Sequence, residues 1–156
     1  KKFTSLCHFI LGIGLSLAPI GAYLSVTGSF DPLPIFYSLL VLFWSSGFDM
    51  LYALQDEDFD RNMNLRSIVV NLGKKGAIRF SSIIHAISAA ILVIIGISAG
   101  FGWLYWVGSF IFSGLLVYQH IIVKPDDLSR LNLAFFTTNG IGSIVFAVFN
   151  ITEIML

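Results

Sequence analysis

Charge is scarce in this chain. Lys, Arg, Asp and Glu make up only 12% of its 156 residues, against about 25% in ordinary soluble domains. Nine bases balance nine acids, so no bulk charge draws the chain to a polyanion, and nucleic acid is not an expected partner. Cysteine is nearly missing as well. Cys7 stands alone, which excludes an intramolecular disulfide and a cysteine-rich metal site. The three histidines, His8, His85 and His120, are never four residues apart, so the sequence holds no His-x-x-x-His metal pair. No signal-peptide layout opens the chain. Its first residue is Lys1, and it is expected to be part of a longer polypeptide. What abounds is apolar: 56% of the residues are hydrophobic and 15% aromatic. Such a composition excludes a soluble monomer, a disordered segment and a coiled coil, and leaves a polytopic membrane protein.

A membrane-crossing helix needs roughly 20 apolar residues. Five stretches qualify: Leu6–Val26, Leu33–Ala53, Ala77–Ala99, Trp103–Val123 and Leu133–Thr152. They run between short connections without a recurring polar face. Ten-residue segments of alternating polarity, the mark of a membrane barrel, do not occur. The fold class is therefore all-α, a transmembrane helix bundle in one domain over residues 1–156. The segments Thr27–Pro32 and Gly100–Gly102 carry no Lys or Arg. Every strong base lies on the other side: Lys1, Lys2, Arg61, Arg66, Lys74, Lys75, Arg79, Lys124 and Arg130. Basic loops stay on the cytoplasmic side of the inner membrane, which predicts a cytoplasmic N-terminus and an external C-terminus. Trp103, Tyr105 and Trp106 are expected to form an aromatic belt at the outer interface. Gly12, Gly14, Ala18, Gly21, Gly140 and Gly142 are expected to let helices approach closely in lipid, and Pro19 to bend the first span.

Polar chemistry concentrates where the second span meets the inner surface. Five of the nine carboxylates fall between Gly47 and Arg61. On a helix turning about 100° per residue, with Asp49 at zero, Tyr52 falls near 300°, Asp56 near 340° and Asp60 near 20°. These four would share one stripe, with Glu57 to its side and Asp58 pointing away. Carboxylates at this spacing repel one another, and Asp49 follows an apolar run that makes its charge costly. A divalent cation resolves both problems. Mg²⁺ prefers carboxylate oxygens and is commonly held by one or two of them plus substrate phosphates. Arg66, Lys74 and Lys75 could take up further phosphate charge. The alternative is that Asp56, Glu57, Asp58 and Asp60 form a solvated acidic loop; Asp49, behind Leu42, Phe43, Trp44 and Phe48, fits that alternative less well.

The pattern Asp49-x-x-Tyr52-Ala53-x-x-Asp56-x-x-x-Asp60 resembles the second aspartate-rich motif of the UbiA superfamily of intramembrane aromatic prenyltransferases. Arg61-x-x-x-x-Arg66-Ser67-Ile68, then Leu72-Gly73, is similar to the continuation of that motif. Lys2-Phe3-Thr4 resembles the stretch before the family's fifth helix, and Ala134-Phe135-x-x-x-Asn139 the start of its last. The resemblance covers essentially the whole chain. It implies a nine-helix fold of which the five spans are the fifth to ninth helices. The family's first aspartate motif does not occur here, so these residues alone are expected to be inactive. Asn64 stands where the family often has a small glycine.

The resemblance also implies a reaction: Mg²⁺-dependent transfer of a polyprenyl group from polyprenyl diphosphate to an electron-rich aromatic ring. Asp56 and Asp60 would hold Mg²⁺. Asp49 would support that site or help deprotonate the acceptor. Tyr52 would hydrogen-bond diphosphate, Arg66 would pair with its oxygens, Lys2 would bind the acceptor's carboxylate or a phosphate, and Asn139 would line the pocket. Ser46-Gly47-Phe48-Asp49-x-x-Tyr52-Ala53 looks most like the branch that uses 4-hydroxybenzoate in quinone biosynthesis; a branch using a dihydroxynaphthoate for menaquinone is the close alternative. Phe43, Trp44 and Phe48 are candidates for shaping the acceptor pocket.

Other readings bear on other residues. A transporter would use Asp49 as an ion-pathway acid, although acids near the bilayer midplane or paired broken helices would then be expected. Phosphatidyl transfer to an alcohol requires Asp-Gly and Ala-Arg elements that this chain lacks. His120, beside Gln119 and Tyr118, is expected to make interhelical hydrogen bonds, Cys7 to be a small buried hydrophobe, and Asp126, Asp127 and Arg130 to form a turn before the last helix.

Overall fold

A computed structural model describes residues 1–156. The chain forms α1 (Cys7–Thr27), α2 (Pro32–Tyr52), a 3₁₀ turn (Ala53–Asp56), α3 (Glu57–Asn62), α4 (Ile68–Ala99), α5 (Trp103–Ile122), a π-helical segment (Leu133–Thr138) and α6 (Asn139–Met155). Five helices are long and apolar enough to cross a membrane. No sheet forms; a single bridge between Lys124 and Asp127 closes the turn before the last span.

Local chemistry explains the element ends. Asp31 caps α2 by accepting from the Leu33 amide at 2.8 Å, with Pro32 as the first helical residue. Its missing N–H costs nothing there. Ser67 caps α4 through the Val70 amide at 3.1 Å. Three spans match the hydropathy reading to within one residue at each end. The third differs, because α4 begins nine residues before Ala77. Asn71, Lys74 and Lys75 conceal that extension from any hydropathy window, yet Val69 and Ile68 are buried in the bundle. The extension is hinged. Gly73 has φ 67° and ψ 169°, a conformation that only glycine adopts without strain, and it re-aims the first turn of α4 over the loop below.

The spans alternate in direction. α1 packs on α2, α2 on α4, α4 on α5 and α5 on α6. α2 is the central element, because its Tyr37 and Trp44 also reach α6. Tyr37 and Asn150 share hydrogen bonds of 3.0 and 2.7 Å, and the Tyr105 hydroxyl donates to the Leu92 carbonyl at 2.7 Å. Interhelical bonds of this kind contribute about 0.6–2 kcal/mol each in lipid. Tyr105 is thus core rather than belt, fully buried among Leu92, Ile95 and Phe112, whereas Trp103 is exposed. His85 and His120 join α4 to α5 as expected of His120. His85 Nε2–H serves the Trp44 carbonyl at 3.2 Å, so His120 Nε2–H must donate to His85 Nδ1 at 3.0 Å.

The small residues divide into two groups. A side chain at Gly12 would overlap Ser46 Oγ and come within 2.7 Å of the Leu42 carbonyl, and one at Gly47 would overlap the His85 ring. These two set the α1–α2 and α2–α4 spacings. Nothing lies within 4 Å of a side chain placed at Gly14, Gly21 or Gly140, so these do not mediate close packing in the structure. Pro19 lies inside α1, which remains helical from Cys7 to Thr27.

Candidate active site

All nine Lys and Arg residues fall at one end of the bundle, where α1, α4 and the last span begin and α2 and α5 end. The acidic segment is held there by an apolar floor of Leu51, Leu54, Val69, Ala77, Val123 and Leu131. Its backbone is not one continuous helix. α2 stops at Tyr52 and the chain tightens into the 3₁₀ turn Ala53–Asp56. Four residues at three per turn rotate the downstream residues by about 80° relative to an ideal α-helix. The stripe expected from Asp49 to Asp60 is thus wound more tightly, and its carboxylates divide by partner, Asp56 and Asp60 taking Lys1 and Asp49 taking His8.

The first site is the pair Asp56 and Asp60. Lys1 Nζ lies 3.2 Å from Asp56 Oδ2 and 2.7 Å from Asp60 Oδ2. Asp60 is 2% exposed and Asp56 about half exposed, so one carboxylate is sealed inside and the other faces water. Asp60 Oδ2 has no partner apart from that ammonium. Burial pulls the Lys1 ammonium down, but Asp60 and Asp56 outweigh it, and its pKa is raised above the ordinary lysine value. The backbone fixes Lys1 in place, since the Arg66 amide donates to the Lys1 carbonyl at 2.7 Å. Lys1 thus marks the point at which both carboxylates favour a positive charge. No third His, Cys, Asp or Glu joins them as a metal cluster. Two carboxylates suit Mg²⁺, which completes its shell with water and phosphate oxygens.

The second site is Asp49. His8 Nδ1–H donates to Asp49 Oδ2 at 2.6 Å. The imidazole is 1% exposed and the Asp49 side chain 27% exposed. An aromatic wall is built around Phe48, the residue before Asp49 in the chain. Trp44 and Phe48 meet edge to face at 5.4 Å, Phe48 meets Phe135 at 5.4 Å, and Tyr52 stacks on Phe135 at 4.0 Å. Phe135 is delivered by the π-helical segment, whose extra residue per turn shifts the register of the side chains it carries.

The remaining candidates are spread around these two centres. Lys2 and Arg66 are exposed and make no ion pair within the chain. Asn139 is buried; its Oδ1 accepts from Gln119 Nε2 at 2.8 Å and from Trp44 Nε1 at 3.3 Å. Its Nδ2 is buried without a partner. Arg61 turns back to Glu57 at 2.8 Å and to the Val70 carbonyl at 3.2 Å. Asp58 is exposed, as its place on the helix predicts. Lys1 and His8 are the residues that sequence reasoning missed. Their partners lie 55 and 41 residues away, and no local spacing announces them.

The chain is similar to known proteins in sequence and in fold. The family model described as the UbiA prenyltransferase family matches residues 1–141. The 4-hydroxybenzoate octaprenyltransferase of Burkholderia multivorans is 29% identical over 147 residues, covering 94% of this chain and 51% of the relative. Those of Paraburkholderia phymatum and Cupriavidus necator are 28% and 26% identical with the same coverage. The chain spans about half the length of these curated relatives. The apo structure of a UbiA homolog from Aeropyrum pernix K1 superimposes with a TM-score of 0.85 at 27% identity, over 99% of this chain and 57% of that one.

Proposed function

This chain belongs to the UbiA prenyltransferase family, and on that premise we propose that it is the C-terminal part of a single intramembrane domain that transfers a polyprenyl group from polyprenyl diphosphate to a small aromatic acid, 4-hydroxybenzoate, in quinone biosynthesis. The chain is an integral membrane protein with five candidate spans. Its basic end faces the cytoplasm, as the distribution of Lys and Arg favours, and the membrane is the inner membrane. The observation that carries the reading is the convergence of Asp56 and Asp60 on one cationic point at the polar mouth of an apolar bundle.

Asp56 and Asp60 would hold Mg²⁺, whose bound charge would withdraw electron density from the diphosphate leaving group. Arg66 pairs with diphosphate oxygens as a planar fork, and Tyr52 donates a hydrogen bond to them from its place on the aromatic wall. Lys2 binds the acceptor's carboxylate. Asp49 accepts the proton of the acceptor's hydroxyl, which raises the electron density of the neighbouring ring carbon. Phe48 and Phe135 exclude water from the reacting carbon, while Asn139 orients Trp44 behind them.

The test uses the full-length protein in detergent or vesicles with radiolabelled 4-hydroxybenzoate, a polyprenyl diphosphate and Mg²⁺. A lipid-extractable labelled product is expected, and Asp56→Ala lowers its formation by on the order of 100-fold or more with the fold retained. A dihydroxynaphthoate acceptor in a parallel reaction separates the two quinone branches. Near-normal turnover of the Asp56→Ala variant at limiting Mg²⁺ overturns the assigned role.

A further inference from the structure

His8 lies outside every motif that identifies the family, yet it makes the shortest side-chain bond to a candidate site residue. His8 Nδ1–H meets Asp49 Oδ2 at 2.6 Å, shorter than a neutral N–H···O bond usually is. The ring is 1% exposed. Its Nε2 is buried and has no partner. A histidine kept only for packing usually has both nitrogens satisfied; this one has Asp49 as its sole side-chain partner. Its height on α1 is set by two further features. The His8 carbonyl accepts from Ser46 Oγ at 3.2 Å. One turn on, Gly12 lets α1 lie directly on Ser46 and Leu42. The imidazole therefore sits behind the carboxylate, and the carboxylate faces the more open side.

We propose that His8 is the positioning residue of Asp49: by holding Oδ2 it turns Oδ1 toward the acceptor's hydroxyl. This rests on the prenyl-transfer reading above. In the step it serves, Asp49 Oδ1 takes the hydroxyl proton. The ring carbon bonds to the allylic carbon as that carbon's bond to oxygen breaks, and the electron pair leaves with diphosphate. The hydrogen displaced from the ring departs as a proton, and Asp49 returns its proton to the product hydroxyl. His8 gains and loses no proton in this sequence. It fixes where the accepting oxygen stands, and small misplacements of a reacting group are costly in rate.

The experiment compares wild type, His8→Leu and His8→Asn in the full-length protein. Leu removes the donor, whereas Asn places an amide N–H near the position of Nδ1. His8→Leu is expected to lower kcat by at least about tenfold with the KM for polyprenyl diphosphate unchanged. His8→Asn is expected to recover most of the loss. With a ring-fluorinated 4-hydroxybenzoate, whose hydroxyl is more acidic, the gap between wild type and His8→Leu is expected to shrink, which a purely structural role would not produce. A His8→Leu variant with native kcat overturns the proposal, as does an equal loss in His8→Asn or a gap that the fluorinated acceptor leaves unchanged. A wild-type protein that prenylates no aromatic acid sinks the underlying reading and this inference with it. An active wild type beside an unimpaired His8→Leu sinks this inference alone.

Discussion

Lys1 and Asp60 form the tighter of the two lysine ion pairs at the mouth of the bundle, 2.7 Å apart, with the carboxylate 2% exposed and the ammonium 29% exposed. A buried carboxylate with one cationic partner is a committed arrangement. Removing the partner leaves a charge that neither water nor the apolar floor can satisfy.

Lys1→Met is therefore expected to destabilise the protein in detergent by about 1–2 kcal/mol, less than for a fully buried pair because Lys1 is partly solvated. The informative measurement is the melting temperature against Mg²⁺. The cation binds the folded site and stabilises by mass action, so it should raise the melting temperature of Lys1→Met by more than that of wild type. Equal increments would mean that the ammonium and the metal do not share a place.

Two glycines separate contact from mere presence. Gly47→Val forces a side chain into the His85 ring, and overpacking of this kind costs about 1–3 kcal/mol. Gly14→Ala meets nothing within 4 Å and removes a flexible residue from a helix interior, so it should be neutral or stabilising by up to about 1 kcal/mol. Thermal unfolding of the two variants in one detergent decides the matter.

Asn64 has φ 52°, in the left-handed region that asparagine tolerates and branched residues do not. It is a backbone position that glycine would also fit. Asn64→Gly should leave stability unchanged to within about 0.5 kcal/mol, whereas Asn64→Val should cost about 1–2 kcal/mol. The measurement is chemical unfolding, with protease sensitivity between Arg61 and Ser67 as a local readout.

Much of the architecture was legible without coordinates because lipid imposes length and apolarity on each span. α1, α2 and α5 obey that rule closely. The start of α4 did not, because Lys74 and Lys75 interrupt the apolar run while Gly73 hinges a short helix beneath it. Asp56 and Asp60 were legible from their four-residue spacing. What the spacing did not show is that Asp49 takes a different partner from Asp56 and Asp60, His8 rather than Lys1, across a 3₁₀ turn, Ala53–Asp56, that changes the helical pitch between them.

The amino-acid sequence by itself determined the all-α membrane class, the end of the bundle that carries the charge, and the acidic segment that lies there. These come from solvation, which acts on residue type. Only the tertiary structure decided that Lys1 closes the Asp56–Asp60 pair, that His8 holds Asp49, and that Asn139 is bound to Trp44 and Gln119. Each of those depends on which faces of distant helices meet, and that is fixed by packing at points such as Gly12 and Gly47, where a single added carbon would push the helices apart.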